Sequence, residues 1–126
     1  MKPIVVASGK VRPVAVKKLQ ETTDFRMCPE GGLPPADVWE AWLAEAEALL
    51  VTGNIRVDEA LLAKAPRLKA VAQPAVGYDN IDIEACSKRG IPVGNTPGVL
   101  VDATADIAFG LILCSARLIH AGWTHV

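Results

Sequence analysis

Chemistry in this chain has few places to come from. Ala75-Val76-Gly77-Tyr78-Asp79-Asn80 is the segment best suited to hold an anion. It follows a short apolar run, and glycine at position 77 lets a ligand approach the main chain closely. Successive N–H groups in such a turn are good donors to a carboxylate or phosphate. The same residues fit an ordinary strand-to-helix turn with Asp79 or Asn80 as a local cap, and spacing alone does not choose. A second loop, Gly94-Asn95-Thr96-Pro97-Gly98, has only GxxxG spacing and no Lys-Ser or Lys-Thr after it, so it reads as a turn and not a phosphate loop. No GxGxxG occurs, which removes the dinucleotide fingerprint. The two histidines, His120 and His125, have no carboxylate nearby in sequence to orient them and read as solvated groups. Cys114 lies amid an apolar helix and reads as a small core residue, and Trp39 and Trp42 as packing residues. A nucleophilic triad has no support.

These loops need elements to hold them. Apolar runs at Ile4 to Ala7, Thr22 to Met27, Ala48 to Thr52, Leu68 to Ala72 and Ile91 to Val93 read as strands. Between them, helices are expected over Val11 to Gln20, from a first turn containing Pro35 to near Ala46, after an Asp58 N-cap, and after an Asp82 cap with Gly90 as the C′ residue. Strands that are continuously apolar and alternate with helices indicate a parallel sheet covered on both faces. The expected fold is α/β, a flavodoxin-like doubly wound sheet of five parallel strands, in which ligands settle at the carboxyl ends of the strands.

A long helix, expected over 103–119 with Asp102 as its cap, does not belong to that sheet. No residue between Asp106 and Arg117 is charged, and Ile107, Phe109, Leu111, Ile112 and Leu113 point all round the axis. If three or four of them lacked partners, about 5 to 10 kcal/mol of burial would go unrealised, comparable to a domain's whole stability. A second domain, a second subunit or both should pack there.

Composition narrows the partners. Thirteen basic and fourteen acidic residues leave a net charge of −1, which offers no footprint for nucleic acid and no basic stripe for a membrane. Three scattered cysteines without CxxC suggest neither disulfides nor zinc. The first apolar run is too short for a signal peptide, and Ile107 to Ala116 is about half of the ~20 residues a bilayer crossing takes. A cytoplasmic location is expected.

From Leu68-Lys69-Ala70-Val71-Ala72 through Ala75-Val76-Gly77-Tyr78-Asp79-Asn80-Ile81-Asp82, then Arg89-Gly90-Ile91-Pro92-Val93-Gly94-Asn95-Thr96-Pro97-Gly98 and on to Asp102-Ala103-Thr104-Ala105-Asp106, the chain resembles the D-isomer-specific 2-hydroxyacid dehydrogenases, in particular their glyoxylate and hydroxypyruvate reductases. The resemblance implies a two-domain enzyme, with a substrate domain over 1–100, an interdomain and dimerisation helix over 101–120, and the start of a linker over 121–126 to a Rossmann domain that binds NAD or NADP. That Rossmann domain, the GxGxxG and the family's catalytic arginine, carboxylate and histidine are absent from these 126 residues. It further implies that the amides of Val76 and Gly77 hold the carboxylate of a 2-oxo acid, and that Thr104 faces the nicotinamide side of the cleft. Val101 departs from the family's usual threonine. Two readings follow: the substrate part of a reductase, inert alone and binding no cofactor tightly by itself, or a non-enzymatic module that pairs through the 103–119 helix with itself or a full-length subunit. A free-standing receiver or nucleotide binder lacks the acidic cluster or phosphate loop it would need.

Overall fold

The computed structural model describes residues 2–53 and 55–123, apart from the side chain of His120. Between Thr96 and Pro97 the chain divides into two compact units.

The first unit runs β1 (Ile4–Ala7), α1 (Pro13–Thr22), β2 (Asp24–Arg26), α2 (Ala36–Glu45), β3 (Ala48–Leu50), α3 (Glu59–Lys64), β4 (Ala70–Ala72), α4 (Ile83–Lys88) and β5 (Val93–Gly94). The strands form one parallel sheet in the order β2-β1-β3-β4-β5. Val6 sits opposite Arg26 on one side and Leu49 on the other, and Leu49 opposite Val71. This is the flavodoxin-like order, with its direction reversing between β1 and β3. Crossovers between parallel strands are almost always right-handed. The step from β1 to β2 runs one way along the sheet and all later steps run the other, so α1 belongs to one face and α2, α3 and α4 to the opposite one.

The core follows from that layering. Val6, Leu49 and Val71 of the strands join Leu43 of α2, Leu62 of α3 and Cys86 of α4 in one buried cluster, with Trp39 and Trp42 packed at its margin as expected. By contrast, α1 buries none of its residues.

Local chemistry explains the helix starts. The Asp58 carboxylate accepts from the Leu61 N–H at 3.0 Å, and Asp82 accepts from Ala85 at 2.9 Å, each pairing a donor that the first helical turn leaves free. Gly90 takes φ +68° just past α4, a conformation that side-chain-bearing residues resist. Pro35 stands at the N-cap of α2 instead of inside its first turn.

In the second unit the single helix expected over 103–119 is two, α5 (Val101–Ala116) and α6 (Ile119–Trp123). Leu118 separates them at φ 52°, a left-handed conformation that ends a helix as a C′ residue does. Asp102 is not the cap. Leu100 occupies that position without a side-chain bond, and Asp102 falls one residue inside the first turn, where its charge still faces the positive end of the helix dipole. No residue of α5 is buried: Ile107, Phe109, Leu111 and Ile112 are 63–68% exposed and Leu113 45%. Cys114, expected in a core, is exposed on the same helix, because a helix apolar all round has a core only where something surrounds it. Among the described residues no helix is long and apolar enough to cross a membrane.

Candidate functional site

The loop after β4 is built by hydrogen bonds that hold its carbonyls. The Asn95 side chain donates from Nδ2 to the Val76 carbonyl at 2.8 Å, and Gln73 donates from Nε2 to the Gly77 carbonyl. The backbone of Thr96 bonds to the Ala75 carbonyl at 2.9 Å, and Ala75 to that of Gln73 at 2.8 Å. At the far end, a bridge between Val57 and Ile81 fixes where the loop re-enters the fold, with Val57 donating to the Asn80 carbonyl and Asp82 to that of Val57, both at 2.8 Å. The second glycine loop thus acts as a brace for the first.

With these acceptors occupied, the donors remain. Among the described residues, the N–H groups of Val76 and Gly77 donate to no protein acceptor, and both residues are exposed. Two consecutive free amides on a fixed loop are a carboxylate-sized donor pair. Gly77 does not need to be glycine for the fold. Its φ lies outside the left-handed region, and a Cβ there would meet only the Asp79 carboxylate, at 3.4 Å. The open space above its backbone is space for a ligand. The alternative of Asp79 or Asn80 as a local cap finds no bond to support it: Asp82 caps α4, and Asn80 instead donates to the Ile55 carbonyl at 2.9 Å.

Beside this loop a cavity of about 320 Å³ opens at the carboxyl ends of β1, β3 and β4, bounded by Lys10, Arg12, Thr52, Pro74 and Ala75 among others. It lies at the reversal of strand order, where α/β sheets take ligands. Ser8 ties its two sides, accepting from the Thr52 N–H at 3.0 Å. Lys10 and Arg12 are the cations on its rim, and among the described residues neither forms an ion pair.

Val76 and Gly77 therefore lie together with their donors open, whereas Thr104 belongs to the second unit, exposed on the first turn of α5. His120 is in α6, and His125 lies outside the described residues. Sequence spacing does not single out Gln73 or Asn95, and offers Asn80 only as a local cap. Their amides do nothing until β4, β5 and the segment around Ile55 come together, though an amide directly after a buried strand is a signal worth weighing. No group of acidic, histidine and cysteine side chains among the described residues could hold a metal ion.

The described residues do not fit a dinucleotide. No GxGxxG turn joins a strand to a helix N-terminus among them: Gly31 and Gly32 are separated from α2 by Leu33, Pro34 and Pro35, and the first turn of α5 carries Asp102, whose charge would oppose a pyrophosphate. No chemical step through such a group is derived from these residues.

Comparisons with known proteins agree with this fold. Residues 4–122 match the model of the D-isomer specific 2-hydroxyacid dehydrogenase catalytic domain. A glyoxylate reductase of Thermococcus litoralis is 45% identical over 119 residues, covering 94% of this chain and 36% of that protein. One of Pyrococcus horikoshii is 41% identical over 122 residues, covering 97% and 36%. The chain thus spans a little over a third of the length of the curated relatives it matches. Among solved structures, a 2-hydroxyacid dehydrogenase from Ketogulonicigenium vulgare superposes with a TM-score of 0.81 at 30% identity, over 98% of this chain and 39% of that one. An NADPH-dependent glyoxylate/hydroxypyruvate reductase from Sinorhizobium meliloti, in complex with NADP and malonate, gives 0.69 at 30% identity over 90% and 34%. The five-stranded parallel sheet, the braced loop after its fourth strand and the match over nearly all of its length lead to one conclusion: this chain belongs to the D-isomer specific 2-hydroxyacid dehydrogenase family, in the region of its catalytic domain.

Proposed function

We propose that residues 1–100 are the substrate-binding part of an NAD(P)H-dependent reductase of small 2-oxo acids, glyoxylate or hydroxypyruvate, and that the amides of Val76 and Gly77 hold the substrate carboxylate. The observation that carries this is the loop after β4, whose carbonyls are tied down by Gln73 and Asn95 while its two amides stay open. Two N–H donors fix a carboxylate in position and in plane, and so orient the adjacent keto group. Reduction needs a hydride donor and a proton donor that these 126 residues do not supply, so the chain alone turns over no substrate. The names of the relatives support the substrate class, and the NAD and NADP in solved neighbours support the cofactor of the whole enzyme.

The test is a titration of the ¹⁵N-labelled chain with glyoxylate. The Val76 and Gly77 amide resonances should move together and saturate, while absorbance with NADH or NADPH added stays flat. Resonances that ignore glyoxylate, or substrate-dependent oxidation of the nicotinamide, would overturn the corresponding half of the reading.

A second element concerns the helix. The exposed side chains of Ile107, Phe109, Leu111 and Ile112 favour a role for α5 as a contact with a second copy of the chain, and Thr104 at its start would lie toward the cofactor side of the assembled cleft. In the non-enzymatic alternative, that contact would be the chain's whole function. Sedimentation at micromolar concentration decides, since a well-behaved monomer refutes the pairing.

A further inference from the structure

Gln73 is the one polar side chain of the loop that the fold removes from solvent, being only 4% exposed. Its amide nitrogen donates twice, to the Gly77 carbonyl and to Asn80 Oδ1 at 2.9 Å. Asn80 in turn donates from Nδ2 to the Ile55 carbonyl at 2.9 Å. The relay therefore begins and ends on main-chain carbonyls, which only accept, and this fixes the direction of both amides. Rotating the Gln73 amide by half a turn would set its oxygen against two acceptors. In the observed orientation Oε1 is buried and, among the described residues, has no partner. Buried acceptors are nearly always paired. An amide held in place despite an unpaired oxygen is held for its donor end.

Resting on the carboxylate reading above, we infer that Gln73 is a positioning residue for substrate binding: by fixing the Gly77 carbonyl, and with it the Tyr78 amide of the same peptide plane, it pins the loop immediately after the Val76 and Gly77 amides and keeps that donor pair turned outward. A peptide plane is rigid and joins each carbonyl to the next residue's amide, so the Val76 and Gly77 amides share planes with the Ala75 and Val76 carbonyls, held by the Thr96 N–H and by Asn95, and Gln73 holds the plane that follows them. Asn95 holds the Val76 carbonyl, and with it the Gly77 amide, from the β5 side, but it is only half-buried and makes one such bond, whereas Gln73 links the loop to Asn80 and, through it, to the segment at Ile55. The pre-ordered loop loses less freedom when the anion arrives, which raises affinity without any contact from Gln73 itself.

Gln73→Met, similar in length and volume but without the donor, separates this role from simple packing. In the unliganded, isotope-labelled chain, the Gly77 carbonyl carbon and the amides from Val76 to Tyr78 should shift, while resonances of Val6 and Leu62 in the core stay in place. Glyoxylate should bind about five- to tenfold more weakly, the order expected for losing about one net hydrogen bond's worth of ordering. Gln73→Asn keeps an amide one methylene short and should fall between Met and wild type. Wild-type affinity and unmoved loop resonances in the Met variant overturn the inference, and if that variant does not fold, the same two results in Gln73→Asn overturn it. A wild-type chain whose Val76 and Gly77 amides ignore glyoxylate sinks the carboxylate reading instead, and with it the ligand half of this inference, whatever the variants do to the free loop.

Discussion

Replacing Gly77 by alanine separates what the fold needs from what the ligand needs. The added Cβ would meet a single neighbour, the Asp79 carboxylate at 3.4 Å, and the backbone there is outside the left-handed region. Nothing in the folded chain opposes it. Glycine to alanine at a compatible position even stabilises, by about 0.4–1 kcal/mol, through the smaller freedom of the unfolded chain. Folding stability should therefore hold or rise slightly. Binding should respond in the opposite sense, because the methyl group stands where a carboxylate would reach the amides, and it holds the anion away from one or both donors. A hydrogen bond to a charged group contributes about 1.5–3 kcal/mol, so losing one predicts roughly 10- to 150-fold weaker glyoxylate binding. Thermal unfolding and an amide-resolved titration on the same preparation read both quantities. A variant that binds glyoxylate as wild type does would place the anion site elsewhere. One that loses several kcal/mol of stability would show that glycine at this position serves the fold, and the argument from open space would fail.

Four other outcomes follow from the structure. Leu62→Ala removes a fully buried side chain from the centre of the core and should cost about 2–5 kcal/mol in chemical denaturation, with no site-specific effect on the loop. Asp58→Ala and Asp82→Ala each remove an N-cap bond and should cost about 0.5–2 kcal/mol apiece, measured the same way. Burial, helped by the nearby Asp82 carboxylate and opposed by Arg89, pushes the Cys86 thiol above its ordinary range. The folded chain then keeps that proton where the unfolded chain has lost it, so Cys86 adds stability fully below the unfolded thiol's pKa, and this is lost as pH rises from there through the folded value; a Cys86→Ala variant should show a flatter decline between neutral and alkaline pH. Ile112→Glu, on the exposed surface of α5, should shift the sedimentation profile toward monomer without changing the melting of the first unit; an unchanged profile that still shows dimers would move the contact off this helix.

How much of this the sequence carried depended on the range of the interaction involved. Asp58 and Asp82 were legible as caps because a side chain bonding three residues ahead needs only its own turn. Gly90 was legible for the same reason, and so were the five strands, whose apolar runs need no partner to be recognised. Strand ends were less so: β5 is Val93–Gly94, two residues beyond the start expected from Ile91, since pairing with β4 decides where a ladder begins. The single long helix failed at Leu118, a residue whose type carries no break signal. Asp102 failed as a cap because α5 starts two residues earlier than the acidic side chain implied.

The candidate site divides along the same line. The loop that carries Val76 and Gly77 stood out in the sequence because glycine in a turn after a strand is a local feature, and so is the absence of charge that made the 103–119 segment stand out. Gln73, Asn80 and Asn95 acquire their roles only when residues as far apart as Ile55, Gln73 and Asn95 are brought to one place. An amide side chain has no preferred partner of its own, so its type predicts little until a carbonyl is set beside it. The sequence by itself determined which segments are strands and where most helices lie, and it marked the loop after β4 by its glycine without choosing between a plain turn and an anion site. The tertiary structure alone decided that the Val76 and Gly77 carbonyls are occupied while, among the described residues, their amides meet no acceptor, because that depends on which groups the packed sheet places within reach.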